Sequence, residues 1–284
     1  AIGGAAGAYE LVQAGTLPGK YTLARLDGAC GSPPPLPRGA LPVRRDLTFS
    51  SAYRHRAVTM VTLIPAGVSA SGLGVVVGLH GADADARHFA SQLSPAMTAA
   101  RITGLAAVAV DGGDTYWHKR ADGDDPVGMI IHEVLPRLAA AGLRTARIAI
   151  VGESMGGYGA LLMAEELAGR GPAVAAVAAL SPAIFPSYAA AIAANRTSFD
   201  GPADFARHDV LANAAAMRTV PTWIGCGVDD PFEAEAARMR ARLGALTGHE
   251  PPGGIMQGCH DDAFWARNLP AALAFLAKKT EEGR

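Results

Sequence analysis

Six short apolar runs recur along the chain: GVVVGLH (74 to 80), GLAAVAV (104 to 110), ARIAIVG (146 to 152), AVAAVAALS (173 to 181), TWIGCG (222 to 227) and GGIMQGC (253 to 259). Runs of this length without polar alternation read as strands buried on both faces. The segments between them, near 85 to 101, 126 to 141, 155 to 168, 232 to 246 and 263 to 278, are long enough to be helices. Strand alternating with helix implies right-handed parallel crossovers, so the pattern predicts an α/β fold with a mostly parallel sheet covered on both sides. Upstream, LTFSS and AVTMVTLIP are separated by a polar turn and predict an antiparallel hairpin at the sheet's N-terminal edge.

Residues 1 to 46 stand apart. They end in CGSPPPLPRGALP, whose prolines forbid helix and favour an extended path, so this stretch is expected to be an irregular arm over a domain running from 47 to 284. Residues 182 to 218 interrupt the strand and helix rhythm and are too long for an ordinary connection. They predict an excursion over the C-terminal edge of the sheet, where such folds bind ligands. The charged end, KKTEEGR, is expected to be solvated and disordered.

Half of the 284 residues are hydrophobic, enough for a large core, and the formal net charge of -1 offers no electrostatic footprint for nucleic acid. No apolar run reaches the roughly 18 to 20 residues that a membrane span needs, so no integral membrane segment is expected. The opening AIGGAAGAYE reads as the stub below a removed export signal or as a boundary of the expressed chain. A secreted or cell-envelope location is the expectation, with the cytoplasm left open. Cys30, Cys226 and Cys259 have no metal-ligand spacing, and the aspartates of DGGDTYWHKRADGDDP (111 to 126) are poorly spaced for calcium. Neither a metal nor a cofactor is expected, and nothing specifies the oligomeric state.

Chemistry enters at Gly152-Glu153-Ser154-Met155-Gly156. The pattern G-x-S-x-G describes a nucleophile elbow, a sharp turn in which flanking glycines leave room for the neighbouring strand and helix. The five residues alone are a weak signal, because a serine capping a helix after a strand would look the same. Their setting is stronger: a buried strand, ARIAIV, precedes them and an amphipathic segment, YGALLMAEELA, follows. A serine hydroxyl needs a base to take its proton and a carboxylate to orient that base. His260, directly after the last strand, has the required position, whereas His249 lies in the polar loop TGHEPP. Asp229 and Asp230 both follow the preceding strand, and Asp230, before Pro231, fits the acid turn better. Backbone N–H groups of Met155 and Ala82 are the expected oxyanion donors. His80, Trp117 and His118 are candidates for contacting substrate, each against the plainer reading of a packed structural group.

The ordered set GESMGGYG, LHGAD, CGVDDPF and GCHDDAFW resembles the putative-esterase branch of the α/β-hydrolases, which includes esterase D-like enzymes and the secreted mycolyltransferases of actinobacteria. The resemblance runs from about Leu47 to Leu276. It implies Ser154 as nucleophile, Asp230 as acid, His260 as base, and Ala82 and Met155 as oxyanion donors. The loop His80-Gly81-Ala82 departs from the Asp-Gly-Leu or Ser-Gly-Leu turn of the mycolyltransferases and formylglutathione hydrolases, so substrate identity does not transfer.

The expected activity is hydrolysis of carboxylic esters through an acyl-enzyme. Acyl transfer to a sugar hydroxyl, a noncatalytic carbohydrate- or lipid-binding protein on the same fold, and a peptidase or thioesterase are the alternatives. Phe264 and Trp265 are expected to pack the last helix against the histidine loop, and the 111 to 126 and 182 to 218 segments to set pocket depth. Since Cys226 and Cys259 end the acid and histidine strands, a bridge between them is expected in an oxidising compartment, leaving Cys30 free.

Overall fold

The computed structural model describes residues 19–169 and 171–282. The six apolar runs, with the two strands of the upstream hairpin, form a single eight-stranded sheet: β1 (Val43–Ser51), β2 (Arg56–Ile64), β3 (Gly74–Leu79), β4 (Leu105–Val110), β5 (Arg144–Glu153), β6 (Ala173–Leu180), β7 (Thr222–Asp229) and β8 (Gly253–Cys259). Their order is β1-β2-β4-β3-β5-β6-β7-β8. β1 pairs antiparallel with β2, and β2 antiparallel with β4; every later pairing is parallel. The edge hairpin and the doubly covered parallel sheet are therefore as the sequence pattern implied.

The helices are α1 (Lys20–Leu26), α2 (Ala86–Ala99), α3 (Pro126–Met129, a π-helical turn Ile130–Val134, then Leu135–Ala140), α4 (Met155–Leu167), α5 (Tyr188–Ala194), α6 (Pro202–Arg207), α7 (Glu233–Thr247) and α8 (Asp262–Glu282). Successive side chains of a strand point to opposite faces, and in the central strands, as all along β3 and β4, both faces are dry. Val75, Val77, Val108, Ile148 and Ile150 join α3, α4 and α7 in one core. Val76, Ala107, Ala149, Val151 and Ala178 join Phe89, Leu93 and Met97 of α2 and Phe264, Leu269 and Leu273 of α8 in the other. The alanines on that second face leave room for α2 and α8 to lie close to the sheet. Among the described residues no helix is long and apolar enough to cross a membrane.

Three boundaries differ from the sequence expectation. β1 begins at Val43, within the stretch read as an irregular arm, because its full ladder with β2 extends to Ile64. The arm also contains a helix, α1, and residues 1 to 18 of it lie outside the described residues. The KKTEEGR end is helical as far as Glu282, where Lys279 Nζ bonds Glu282 at 2.7 Å; residues 283 and 284 lie outside the described ones. Thr280, which is buried on this last turn and bonded to the Leu276 carbonyl at 2.8 Å, holds the end of α8 against the sheet.

The disulfide also differs. Cys30 bonds Cys259, and Cys226 is a free, buried thiol that burial holds protonated. In the β7/β8 ladder the residue opposite Cys226 is Ile255, while Cys259 stands opposite Asp229. Ending neighbouring strands is therefore not enough, because the two cysteines are three rungs out of register, about 10 Å along the strand. Cys30 reaches Cys259 because the arm crosses the ends of β7 and β8. Arg267 donates to the Cys30 carbonyl at 2.8 Å and Gln257 to the Ala29 carbonyl at 2.8 Å.

One carboxylate in α4 opposes folding. Burial, and then the charges of Asp209 and Glu166, push Glu165 up to about 9, and its Oε1 has no partner. A carboxyl with a raised folded-state pKa keeps its proton in the native state after the unfolded chain has released its own. Stability therefore falls as pH rises from about 4.5 to about 9 and is level beyond. Glu165→Gln should thus leave stability near pH 4 unchanged and add on the order of 2 kcal/mol near pH 8, after allowance for the side chain's partial exposure. Thermal melts of both proteins across this range would show the gap widening with pH; a constant gap would refute the assignment.

Candidate active site

β5 delivers the chain to Ser154, which has φ 54° and ψ -121°, a strained conformation for a residue with a side chain. Two glycines make the turn possible. A Cβ on Gly152 would overlap the Gly156 carbonyl, and one on Gly156 would overlap the Leu79 carbonyl of β3. The turn is held from outside by β6 and the segment after it: Ser154 N–H donates to the Leu180 carbonyl at 2.9 Å, and Ala183 N–H donates to the Ser154 carbonyl at 2.9 Å. Ser154 thus stands at the start of α4 with its hydroxyl in a cleft.

His260 and Asp230 arrive from the ends of β8 and β7, beyond β6. His260 Nε2 lies 2.8 Å from Ser154 Oγ, and His260 Nδ1 lies 2.9 Å from Asp230 Oδ2. Asp230 is fully buried, and its Oδ1 accepts the Phe232 N–H at 2.8 Å. Burial alone would push its carboxyl up; the bond to His260, that residue's charge and the Phe232 N–H outweigh this and hold it below the usual carboxylate range. Asp229 sits in the β7/β8 ladder and His249 on an exposed loop, so neither joins the relay. The imidazole is clamped by rings, Phe232 at 5.2 Å and Trp265 edge-on at 5.2 Å.

The opposite wall is the turn after β3. Ala82 lines the cleft, and Gly81 abuts the serine, since a Cβ there would come within 3.3 Å of Ser154 Cβ. The peptide between them is set by His80. Gly112 N–H donates to His80 Nε2 at 2.9 Å, so the ring proton sits on Nδ1, which donates to the Gly81 carbonyl at 2.7 Å. In a trans peptide the N–H points opposite to the carbonyl, so pinning the Gly81 carbonyl inward turns the Ala82 N–H outward. The Met155 N–H lies directly after Ser154, at the start of α4.

The other sequence candidates for substrate contact are packed structural groups. His80, Trp117 and His118 are fully buried and do not line this cleft of about 590 Å³. Trp117 lies beneath α4, where Gly159 leaves space for its ring, and its Nε1 donates to the His80 carbonyl at 3.2 Å. His118 stacks on Phe199 and His208 and bonds the Ser198 carbonyl at 3.0 Å, which ties the 111 to 126 loop to the 182 to 218 excursion. Neither segment is in the immediate wall of the cleft; the 111 to 126 loop acts at one remove, where Asp114 accepts the N–H of the wall residue Asp83 at 2.8 Å, while His118 stacks on Phe199 and His208 of the excursion. Sequence reasoning also passed over Glu153, Asp83, Asp85 and Asp262, which do line it. The only sequence signal for them was that each sits within two residues of a motif position.

Among the described residues, two groups bring possible metal-ligand atoms within 4.8 Å of one another: Cys30, Cys259 and Asp261, and the buried His118, Asp204 and His208. The first has its sulfurs in a disulfide. In the second, His208 Nδ1 lies 3.1 Å from Asp204, His118 Nε2 bonds the Ser198 carbonyl at 3.0 Å, and burial lowers the pKa of both histidines.

A serine bonded to a histidine bonded to a buried aspartate, at the ends of β5, β8 and β7 of this sheet, defines a serine hydrolase of the α/β-hydrolase class. The sequence profile of the family described as "Putative esterase" matches residues 51–276, and the chain belongs to that family of carboxylic ester hydrolases. Solved structures carry the same fold. A ferulic acid esterase is 16% identical with a TM-score of 0.68, over 84% of this chain and 98% of that one. An S-formylglutathione hydrolase from Agrobacterium tumefaciens is 15% identical with a TM-score of 0.67, again over 84% and 98%. MPT51 of Mycobacterium tuberculosis is 19% identical with a TM-score of 0.66, over 84% and 98%. No curated protein sequence matches the chain significantly.

Proposed function

We propose that Ser154, His260 and Asp230 perform ester hydrolysis through an acyl-enzyme, with Ala82 and Met155 as oxyanion donors. The observation that carries this reading is the unbroken relay of 2.8 and 2.9 Å from Ser154 Oγ through His260 to Asp230. Ser154 attacks the ester carbonyl while His260 Nε2 takes its proton. Asp230 fixes the ring so that Nδ1 carries a proton and Nε2 is the free base, and it stabilises the imidazolium that forms. The tetrahedral oxyanion lies against the two N–H groups, and His260 then gives its proton to the leaving alcohol oxygen. Water, deprotonated by the same ring, releases the acid and restores Ser154. Beyond the ester and water, the steps draw only on these side chains and backbone groups.

An oxidising location outside the cytoplasm belongs to the same reading, supported by the Cys30–Cys259 bridge. The test of the nucleophile is covalent. A fluorophosphonate probe should label the native protein at one site and fail to label Ser154→Ala; labelling that survives the substitution, or its absence from well-folded native protein, would overturn the assignment.

A further inference from the structure

The charge of the cleft is one-sided. The carboxylates of Asp83, Asp85 and Asp262 line it beside Glu153, and no lysine or arginine does so among the described residues. Two arginines near its wall are committed elsewhere: Arg87, two residues after Asp85, to Asp46 at 3.2 Å, and Arg25 to the His260 carbonyl at 3.0 Å. His88 faces Asp262 at 3.6 Å without cancelling the other carboxylates. A cleft walled by one sign of charge concentrates ligands of the other sign and repels its own.

A second observation at the same place asks for a ligand. Glu153, adjacent to the nucleophile, is only 1% exposed although it lines the cleft. Its Oε1 accepts the Gln92 amide at 3.3 Å, but its Oε2 is buried with no partner, and so is Gln92 Oε1. Burial, followed by the charge of Asp262, keeps the Glu153 carboxyl protonated well above the usual range. Buried polar atoms without partners are rare in folded proteins, and at the wall of a reaction cleft they mark a place where a ligand supplies the missing bond. The position also selects a portion of the substrate. His260 must face the leaving alcohol oxygen to protonate it, and Asp262 and Trp265 follow His260 at the start of α8, so the alcohol portion is the part beside them.

We infer that this enzyme selects esters whose alcohol portion carries a protonated amine, seated against Glu153 with the carboxylates of Asp83, Asp85 and Asp262 around it. The inference rests on the serine esterase reading above. The amine's charge answers the acidic rim and favours the ionised form of Glu153, so that the carboxyl releases its proton to solvent and the freed oxygen accepts the amine N–H.

The test compares two isosteric substrates, 2-(dimethylamino)ethyl butyrate, cationic at pH 7, and 3-methylbutyl butyrate, neutral. At low ionic strength kcat/KM should favour the cationic ester by about tenfold, and the preference should shrink in about 0.5 M salt as the exposed carboxylates are screened. In the double variant Asp83→Asn, Asp262→Asn the cationic-to-neutral ratio, measured within the same protein so that folding cancels, should fall towards one. A ratio of one or less in the native protein at low salt, or a ratio unchanged in the double variant, would overturn the inference. Binding to Ser154→Ala, followed by calorimetry, separates this from the reaction itself. If neither ester is hydrolysed by the native protein, the esterase reading fails, while tighter binding of the cationic ester still supports the cleft's preference and equal or weaker binding rejects it.

Discussion

Ser154→Ala is expected to lower kcat for hydrolysis of a p-nitrophenyl ester by about 10⁶-fold while leaving the fold intact. The magnitude follows from how the relay works as a unit. Without Oγ there is no acyl-enzyme, and the proton that His260 takes at 2.8 Å has no source. What remains is water held near two oxyanion donors, worth about 10³ to 10⁴ over solution. Asp230→Asn should cost less, about 10⁴-fold, because the nucleophile and base survive while the ring loses the partner that fixes its proton on Nδ1. Steady-state kinetics on both variants would check the order. Ser154→Ala retaining activity within tenfold of the native protein would remove it from the mechanism.

Gly156→Val should abolish folding, or destabilise the protein by more than about 4 kcal/mol, although position 156 carries no chemistry. Gly156 lies where α4 meets the end of β3, and any Cβ there would overlap the Leu79 carbonyl and crowd the His80 carbonyl. Relief requires α4 to move off the sheet, which would separate the Met155 N–H from the Ala82 N–H and pull Ser154 out of its turn. Gly201→Ala is the control, since a Cβ at 201 meets nothing within 4 Å. Circular dichroism and thermal unfolding would distinguish the two; a cooperative transition for Gly156→Val near that of the native protein would mean that the close approach is not required.

Much of this was legible in the chain. Strands announced themselves because residues buried on two faces must be apolar at every position, as at Val75, Val76 and Val77. Ser154, Asp230 and His260 could be singled out because each follows a strand, and strand ends converge on one edge of a parallel sheet. The candidates that misled were of another kind. Trp117 and His118 sit in the loop after β4, which borders the same edge, but the loop turns Trp117 in against His80 and His118 in to meet Phe199 and His208. Residue type and position are the same for a ring that faces substrate and one that faces core; only packing separates them.

The bridge fails to be legible for a similar reason. Strand adjacency was foreseeable, yet the register that sets Cys259 opposite Asp229 and Cys226 opposite Ile255 is not written in either strand's composition. Nor could the path of a proline-rich arm be read from local rules, since contacts 229 residues apart in sequence depend on how the whole sheet twists and where its ends lie.

The sequence by itself determined the alternation of strands and helices, the elbow around Ser154 and the order of nucleophile, acid and base, because these depend on backbone sterics and burial over a few residues. Tertiary structure alone decided that His80 aims a peptide instead of touching substrate, that Cys30 holds the histidine loop, and that acidic side chains from β5, α8 and the turn after β3 share one cleft. Those facts are distances between segments far apart in the chain, and no local pattern of residues encodes them.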